Sequence, residues 1–307
     1  MLISIAKEVS EKYLNLLEIN PINNVYGLAR SLLALGTFLT LVSNSTETLF
    51  MSSTDITKVG ISHLVDFSLF NILSNQIELA RAISLVILLF VIIGIYPRFT
   101  GLLHWYVSFS FFAACSVIDG GDQANSVMSL LLVPLTFLDN RKWHWQVPDR
   151  IKTSLVVNSI SWSSIFLIRI QVCVIYLHAA VAKFKVEEWI NGTASFYWFT
   201  HHYHGAAEYI KPLIVSIVSN NFLVVIITWG SILLELLLFS AILIRPDSLR
   251  RKSLLLAGLS FHFLIVLIHG LISFYFTMAS ALLLYLSNYQ TGYNFSKLKP
   301  LKLWKQS

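Results

Sequence analysis

The chain has 307 residues, of which 56% are hydrophobic and 12% are charged, and its net charge is +6. The charged fraction is about half that of an ordinary soluble domain, and the apolar residues come in long runs. This composition excludes a soluble protein and indicates a polytopic membrane protein. The basic residues lie between the apolar runs and not on one face, which argues against a nucleic-acid-binding protein.

The amino-terminal part combines a mixed segment with one long apolar run. Residues 1–20 alternate aliphatic and charged side chains without a continuous apolar core, which predicts an amphipathic helix at the membrane interface and not a cleavable signal peptide. The apolar run 25–42 predicts the first membrane span. The polar stretch 43–77 then predicts a loop outside the membrane, with room for a short surface helix.

The central part of the chain is a series of apolar runs joined by short polar connections. Four runs are predicted to span the bilayer: 79–95, 99–118, 124–138 and 160–183. Pro97 ends the first of them, because proline cannot continue a helix. The sequence Asp119-Gly120-Gly121-Asp122 predicts a turn. The run that follows it is short and contains Pro134, which predicts a tilt or a kink.

The carboxyl-terminal part holds an apolar run at 222–244 and a longer one at 254–286. The longer run would make a helix of about 50 Å, whereas the hydrocarbon core of a bilayer is about 30 Å thick. It is therefore predicted to fold back near His269-Gly270. The whole chain is then an all-α membrane bundle of about eight transmembrane helices.

The positions of lysine and arginine orient this bundle. With a cytoplasmic amino terminus and eight spans, most of the 22 basic residues fall on the cytoplasmic side. Seven spans would leave the lysine-rich carboxyl tail outside. We therefore expect one transmembrane domain over residues 1–307, with 1–20 at the interface, 184–221 as an exterior loop and 288–307 as a cytoplasmic tail.

The stretch from Arg169 to Trp198 is the strongest candidate for chemistry. Its apolar half carries Arg169, Gln171, His178 and Lys183, and ionisable groups at membrane depth are costly and indicate function. Lys183 lies at the predicted outer end of the fifth span, six residues before the amphipathic ring of Trp189. There it could act as a base, or its long side chain could simply reach the headgroups.

Two further histidines lie in a late apolar run. His262 and His269 are seven residues apart and share one helical face. They are expected to face a polar cavity with Glu235 and Arg169, or to hold helices together through hydrogen bonds. Arg30 and Arg169 are expected to pair with acids such as Glu235 or with lipid headgroups.

The sequence HHYH supplies the only clustered histidines: His201, His202 and His204. With Glu208 or His178 they are candidate metal ligands. Adjacent histidines point apart on most backbones, however, and no CxxC or HExxH motif accompanies them, so a solvated or interfacial cluster is favoured and no metal is predicted. The absence of a Walker A loop, a dinucleotide fingerprint and a GxSxG motif leaves no support for an ATP-driven pump or a serine hydrolase.

Several segments resemble known membrane families. The sequence IRIQVCVIYLHAAVAKFKVEEWINGTASFYW resembles the signature of the HTTM family, whose fold is shared with vitamin K-dependent gamma-carboxylase. The signature is R-x-Q, an apolar span with a tyrosine, a step of small residues to a lysine, and W-x-x-G. FHFLIVLIHGLISFYF resembles the late histidine-bearing span of that family. NPINNVYGLARSLLALGTFLTLVSNSTETLF and LLLVPLTFLDNRKWHW are similar to the SdpB family.

The carboxylase resemblance implies a role for one lysine. In that family the lysine before W-x-x-G deprotonates vitamin K hydroquinone, and Lys183 matches its position, while Trp189 and Gly192 match the step itself. The histidine that the family has before its fourth span is not matched, because the sequence there is Gly-Asp-Gln-Ala at 121–124. The large carboxyl-terminal domain of the carboxylases is not matched either. Both departures count against glutamate carboxylation and leave quinone or oxidative chemistry open.

The SdpB resemblance implies a biological setting. SdpB proteins are multi-pass proteins of the bacterial plasma membrane that, with a small SdpA partner, are needed to mature an exported SdpC-type peptide toxin. The chain is therefore expected to act with an SdpA-like protein on an SdpC-like precursor at the outer face, with Lys183 as base above Arg169, Gln171 and His178. Whether it is an enzyme stays open. The alternatives are a hydroquinone oxidase or carboxylase, with a quinone as cofactor, and an immunity or signalling protein without chemistry.

Overall fold

The computed structural model describes residues 16–50, 65–146 and 154–289. Most of the predicted interfacial helix at 1–20 and of the predicted tail at 288–307 lies outside these residues. Within them the secondary structure is helical, without a β-strand. In chain order the α-helices are α1 (Asn24–Ser43), α2 (Thr46–Leu49), α3 (Leu69–Ile72), α4 (Ile77–Ile93), α5 (Pro97–Ala114), α6 (Gly120–Leu138), α7 (Leu155–Lys183), α8 (Glu187–Ile190), α9 (Ala194–Thr200), α10 (Lys211–Val218), α11 (Asn221–Ser240), α12 (Leu249–His269) and α13 (Ile272–Leu286).

Eight long helices correspond to the eight predicted spans: α1, α4, α5, α6, α7, α11, α12 and α13. Five of them, α1, α4, α7, α11 and α12, are long and apolar enough to cross a bilayer by length and composition. Helix α13 is apolar but has 15 residues. The all-helical membrane bundle is thus confirmed, and the crossing of the lipid by all eight helices stays a prediction.

Side-chain caps set where the helices begin. Asn23 accepts a hydrogen bond from the Val25 amide at the start of α1, and Ser154 accepts one from Val157 at the start of α7. The sequence 119–122, predicted to be a turn, instead starts α6. Asp119 accepts from the amide of Asp122, and the Asp122 carboxylate accepts from the amide of Asp119, which is a capping box.

Helix α13 forms the centre of the bundle, and α12 lies at its edge. Every residue from Thr277 to Leu286 is buried, because α13 is apolar on all sides and packs against α1, α6, α7 and α12. In α12, by contrast, the buried residues are Arg251, Gly258 and His262. One face of α12 therefore contributes to the interior, and that face carries a histidine.

The segment 184–221, predicted to be an exterior loop, contains three short helices, α8, α9 and α10. Helices α9 and α10 pack against α11, where the Ser195 amide donates to Thr228 Oγ1 at 3.1 Å. The Thr228 hydroxyl in turn donates to Ser195 Oγ at 2.9 Å. These hydrogen bonds hold the segment against the bundle, so it forms one wall of the site described below.

Helices α5 and α6 approach closely at Gly101. A Cβ added there would overlap the side chain of Thr136 on α6. We therefore expect Gly101→Ala to destabilise the protein by about 1–3 kcal/mol, as overpacking does in a dense core. Thermal unfolding of the purified protein in detergent measures this. Gly120→Ala is the control, because an added Cβ at Gly120 has no neighbour within 4 Å; an equal loss in both variants would contradict the expectation.

A cluster of buried polar side chains joins α1 to α5 and to the connector that follows α6, residues 139–146. Arg30 is fully buried, and its Nη2 donates to Thr100 Oγ1 at 2.6 Å. The Tyr26 hydroxyl donates to Asp139 Oδ2 at 3.0 Å, and Arg141 donates to both oxygens of the same carboxylate at 2.7 and 2.8 Å. Glu235, one of the acids expected to pair with Arg30, instead binds Lys183.

His144, in the same connector, is expected to make the stability of the folded protein depend on pH. Its ring is fully buried, with Nε2 3.3 Å from Ser31 Oγ. Burial, and next the positive charges of Arg30 and Arg141, lower the pKa of His144 from 6.5 to about 2. The unfolded chain therefore binds a proton below pH 6.5 that the folded protein does not bind. Stability should accordingly fall as the pH drops from about 7 to about 5.

Melting temperatures measured in detergent across this range test the expectation. His144→Gln removes the titrating ring and keeps a hydrogen-bonding side chain, so its melting temperature should vary less with pH than that of the wild type. Parallel curves for the two proteins would show that other groups cause the acid destabilisation.

Candidate functional site

Lys183 is the last residue of α7, and its partner is Glu235 on α11. The lysine Nζ lies 2.7 Å from both carboxylate oxygens and 3.2 Å from the carbonyl oxygen of Ala179. The side chains of Lys183 and Glu235 are 18% and 9% exposed. Because little water screens the two charges, their attraction is much stronger than that of a surface pair.

The W-x-x-G step places an indole ring over this ion pair. Lys183 Nζ lies 5.0 Å from the centre of the Trp189 ring, within the range of a cation–π interaction. Gly192 follows α8 with a φ of +76°, and a Cβ there would lie 3.1 Å from Val225 and 3.3 Å from Trp229 on α11. A glycine is therefore needed both for the backbone conformation and for the close approach to α11.

A cavity of about 500 Å³ opens beside the ion pair, between α7, α8, α9, α11, α12 and α13. Its polar lining consists of Lys183, Glu235, Ser195, Ser231, His262 and His269. Its aromatic lining consists of Trp189, Trp198, Phe199, Phe261 and Phe274. The volume lies within the range of ordinary small-molecule sites, which are mostly apolar with a few polar groups.

A second hydrogen-bonded pair lies deeper in the bundle. The Tyr176 hydroxyl is 3.0 Å from His262 Nε2, and both side chains are buried. His262 Nδ1 has no hydrogen-bond partner among the described residues. Tyr176 was not predicted as a site residue. It precedes Lys183 by seven residues, which is two helical turns, and this spacing on one face of α7 is the signal that could have found it.

The HHYH segment is tied to the end of α12. His269 Nδ1 lies 2.9 Å from the His204 carbonyl oxygen and 3.2 Å from that of Gly205, so this nitrogen is the donor. His201 Nδ1 accepts hydrogen bonds from the amides of Tyr203 and His204. The side chains of His201, His202 and His204 are all exposed. In the described parts of the chain, no three histidine, cysteine or acidic side chains converge as metal ligands.

Three residues expected below Lys183 are not in this cavity. Arg169 lies on the same face of α7 as Lys183 but about 21 Å away along the helix axis, where Nη2 donates to the Ser287 carbonyl oxygen at 3.1 Å. At 100° per residue, Gln171 and His178 project about 120° and 140° away from Lys183. His178 is exposed and Gln171 is half-buried, and neither lines the cavity. The expectation that Arg169 shares a cavity with Glu235 is therefore wrong.

Comparison with known proteins places this bundle in a family. The HTTM domain matches residues 25–289, which include the eight long helices except for Asn24, the first residue of α1, and every residue of the cavity. The chain belongs to the HTTM family. The site formed by Lys183, Glu235, Trp189 and the two histidines thus lies wholly inside the HTTM domain.

Two curated relatives from Bacillus subtilis strain 168 are similar over almost the whole chain. Sporulation-delaying protein SdpB is 37% identical over 284 residues, which are 92% of this chain and 87% of that protein. YitO, described as an uncharacterized protein, is 39% identical over 292 residues, which are 94% of this chain and 93% of YitO. No solved structure matches. The resemblance to the SdpB family is therefore confirmed.

Proposed function

We propose that this HTTM protein is the membrane component of a system that matures an SdpC-like peptide toxin in the bacterial plasma membrane. It acts with an SdpA-like partner on the exported precursor at the outer face. The similarity to Sporulation-delaying protein SdpB over 92% of the chain supports the setting. The observation that supports catalysis is the partly buried Lys183–Glu235 pair on the wall of a cavity of about 500 Å³.

The proposed chemistry is proton transfer by Lys183. Glu235 holds the lysine ammonium at 2.7 Å in a cavity with mainly apolar walls. Transfer of one proton from the ammonium to the carboxylate leaves a neutral amine, which is a base able to accept a proton from a substrate. The ring of Trp189 covers the ammonium and limits the access of water. Lys183 is thus the catalytic base of the proposal, and Glu235 is its proton acceptor.

The proposed entry for the peptide is the surface of α9 and the HHYH segment. Tyr197 and Trp198 are more than half exposed, and His201, His202 and Tyr203 follow them on an exposed turn. Trp198 also lines the cavity. A peptide bound to this aromatic surface would therefore lie next to Lys183, while the SdpA-like partner would bind from the same outer side.

A second candidate function is hydroquinone chemistry, and the aromatic lining of the cavity favours it. Flat rings such as those of Trp189, Phe261 and Phe274 fit an aromatic ligand, and Lys183 would lie within reach of a phenolic hydroxyl. A bound quinone would supply redox chemistry, while Lys183 and Glu235 would hold and move the proton. Under this function the purified protein should bind a quinone, and oxygen consumption should require Lys183.

The amount of mature toxin in the culture medium tests the proposed function. Cells that carry Lys183→Ala should release no mature toxin, whereas Lys185→Ala should leave its release unchanged, because Lys185 is exposed and lies two residues beyond α7. Full toxin yield from Lys183→Ala would remove this lysine from the mechanism. In an immunity or signalling protein, deletion of the whole gene would leave toxin production normal and change only the survival of the producer.

A further inference from the structure

A second cavity lies at the opposite end of α7 from Lys183. Its volume is about 420 Å³, and it lies between the first half of α7, the end of α13 and the link that precedes α12. By the distribution of basic residues, this end is the predicted cytoplasmic side. Trp162, Ser163, Phe166 and Arg169 are among the residues that line the cavity.

Two arginines meet at the end of α13 beside this cavity. Arg169 Nη2 donates to the Ser287 carbonyl oxygen at 3.1 Å, and Arg251 Nε donates to that of Leu286 at 3.0 Å. Arg251 also donates to the carbonyl oxygen of Tyr285. Two guanidinium groups therefore bind three consecutive carbonyl groups, which brings two positive charges close together.

These two charges are not neutralised within the described ranges. Neither Arg169 nor Arg251 has a carboxylate within 4.0 Å there, and the carbonyl groups at the end of a helix supply only about half a negative charge. The Nε of Arg169 is buried and has no hydrogen-bond partner among the described residues. The Arg169 guanidinium lines the cavity, lies 5.4 Å from the centre of the Tyr289 ring and has no carboxylate partner among the described residues, so it can bind an anion.

The rest of the cavity wall is suited to an acyl chain. Trp162 is held in place by a hydrogen bond of 2.9 Å from Nε1 to the Ile19 carbonyl oxygen. One turn along α7, Phe166 is 60% exposed and continues the same apolar surface. The polar side of the cavity is thus cationic, and its apolar side faces outward from the bundle, where lipid would lie in a membrane.

We propose that this cavity binds an anionic phospholipid. The positive charge of the Arg169 guanidinium at the cavity wall attracts the lipid phosphate, and one acyl chain lies along Trp162 and Phe166. Basic pockets between membrane helices on the cytoplasmic side are suited to anionic headgroups. The bound lipid links α7 to the end of α13 and is separate from the Lys183 cavity, which lies about 21 Å further along α7.

The test measures the melting temperature of the full chain, purified in detergent, after the addition of phosphatidylglycerol, phosphatidylcholine or inorganic phosphate. Phosphatidylglycerol is expected to raise the melting temperature, whereas phosphatidylcholine and inorganic phosphate are not. Arg169→Met should weaken the response to phosphatidylglycerol roughly tenfold or more in half-saturating concentration, the loss typical of a hydrogen bond to a charged group. Stabilisation by inorganic phosphate alone would identify a small-anion site and overturn the lipid assignment.

Two further variants keep the test decisive. Ser163→Leu fills the cavity without changing its charge, so it should reduce lipid binding even if Arg169→Met does not fold. Arg98→Gln removes an exposed arginine that donates to Asn140 and lies outside the cavity, and it should respond to phosphatidylglycerol like the wild type. An unchanged response in Ser163→Leu, or an equal loss in Arg98→Gln, would show general attraction to acidic lipid and would overturn the proposal.

Discussion

Lys183→Met is expected to destabilise the protein by about 3 kcal/mol, because it leaves the carboxylate of Glu235 without a partner in a mostly buried position. Glu235 is buried on α11, and its two oxygens both lie 2.7 Å from the lysine Nζ. Glu235→Leu should cost a similar amount, since it leaves the ammonium unpaired. Chemical or thermal unfolding in detergent measures both losses.

The double variant Lys183→Met/Glu235→Leu separates stability from function. Replacing a buried ion pair by apolar side chains is often neutral or stabilising, so the double variant should regain most of the stability that each single change loses. It should still release no mature toxin, because the base is absent. A double variant that is both stable and fully active would show that the pair only holds α7 and α11 together.

Asp139→Ala is expected to destabilise the protein by a similar amount, about 3 kcal/mol. The carboxylate accepts from the Tyr26 hydroxyl and from Arg141, and its charge also attracts the buried Arg30. Its removal leaves a buried hydroxyl without an acceptor and two guanidinium groups without that negative charge. The loss should appear as a lower melting temperature and a lower yield of folded protein.

The matched control is an ion pair with the same separation on the surface. Glu208 binds Lys211 at 2.7 Å, but the side chain of Glu208 is 86% exposed. Glu208→Ala should therefore change the stability by no more than about 0.5 kcal/mol. If Asp139→Ala cost no more than this control, the polar cluster around Arg30 would not contribute to the fold.

The eight helices could be predicted because the length of an apolar run is a local property of the sequence. The run predicted at 25–42 is α1, and the fold-back predicted at His269-Gly270 is the break between α12 and α13. The capping box at Asp119 was missed, since glycine and aspartate mark turns and helix starts alike. The helices of segment 184–221 were not predicted; two of them, α9 and α10, pack against α11, a tertiary contact that the local sequence does not reveal.

The candidate site was predictable only in part. Lys183, Trp189 and Gly192 come from one continuous motif, and the spacing of His262 and His269 places both on one face. An all-helical membrane protein, the approximate positions of its long helices and a lysine near the outer end of the fifth span all follow from the sequence alone, although α7 begins at Leu155 and not at residue 160. The packing of the helices was needed to show that the partner of Lys183 is Glu235, 52 residues away, and that Tyr176 meets His262, 86 residues away. Periodicity sets the direction of a side chain on its own helix, whereas its partner depends on which helices pack side by side and at what depth.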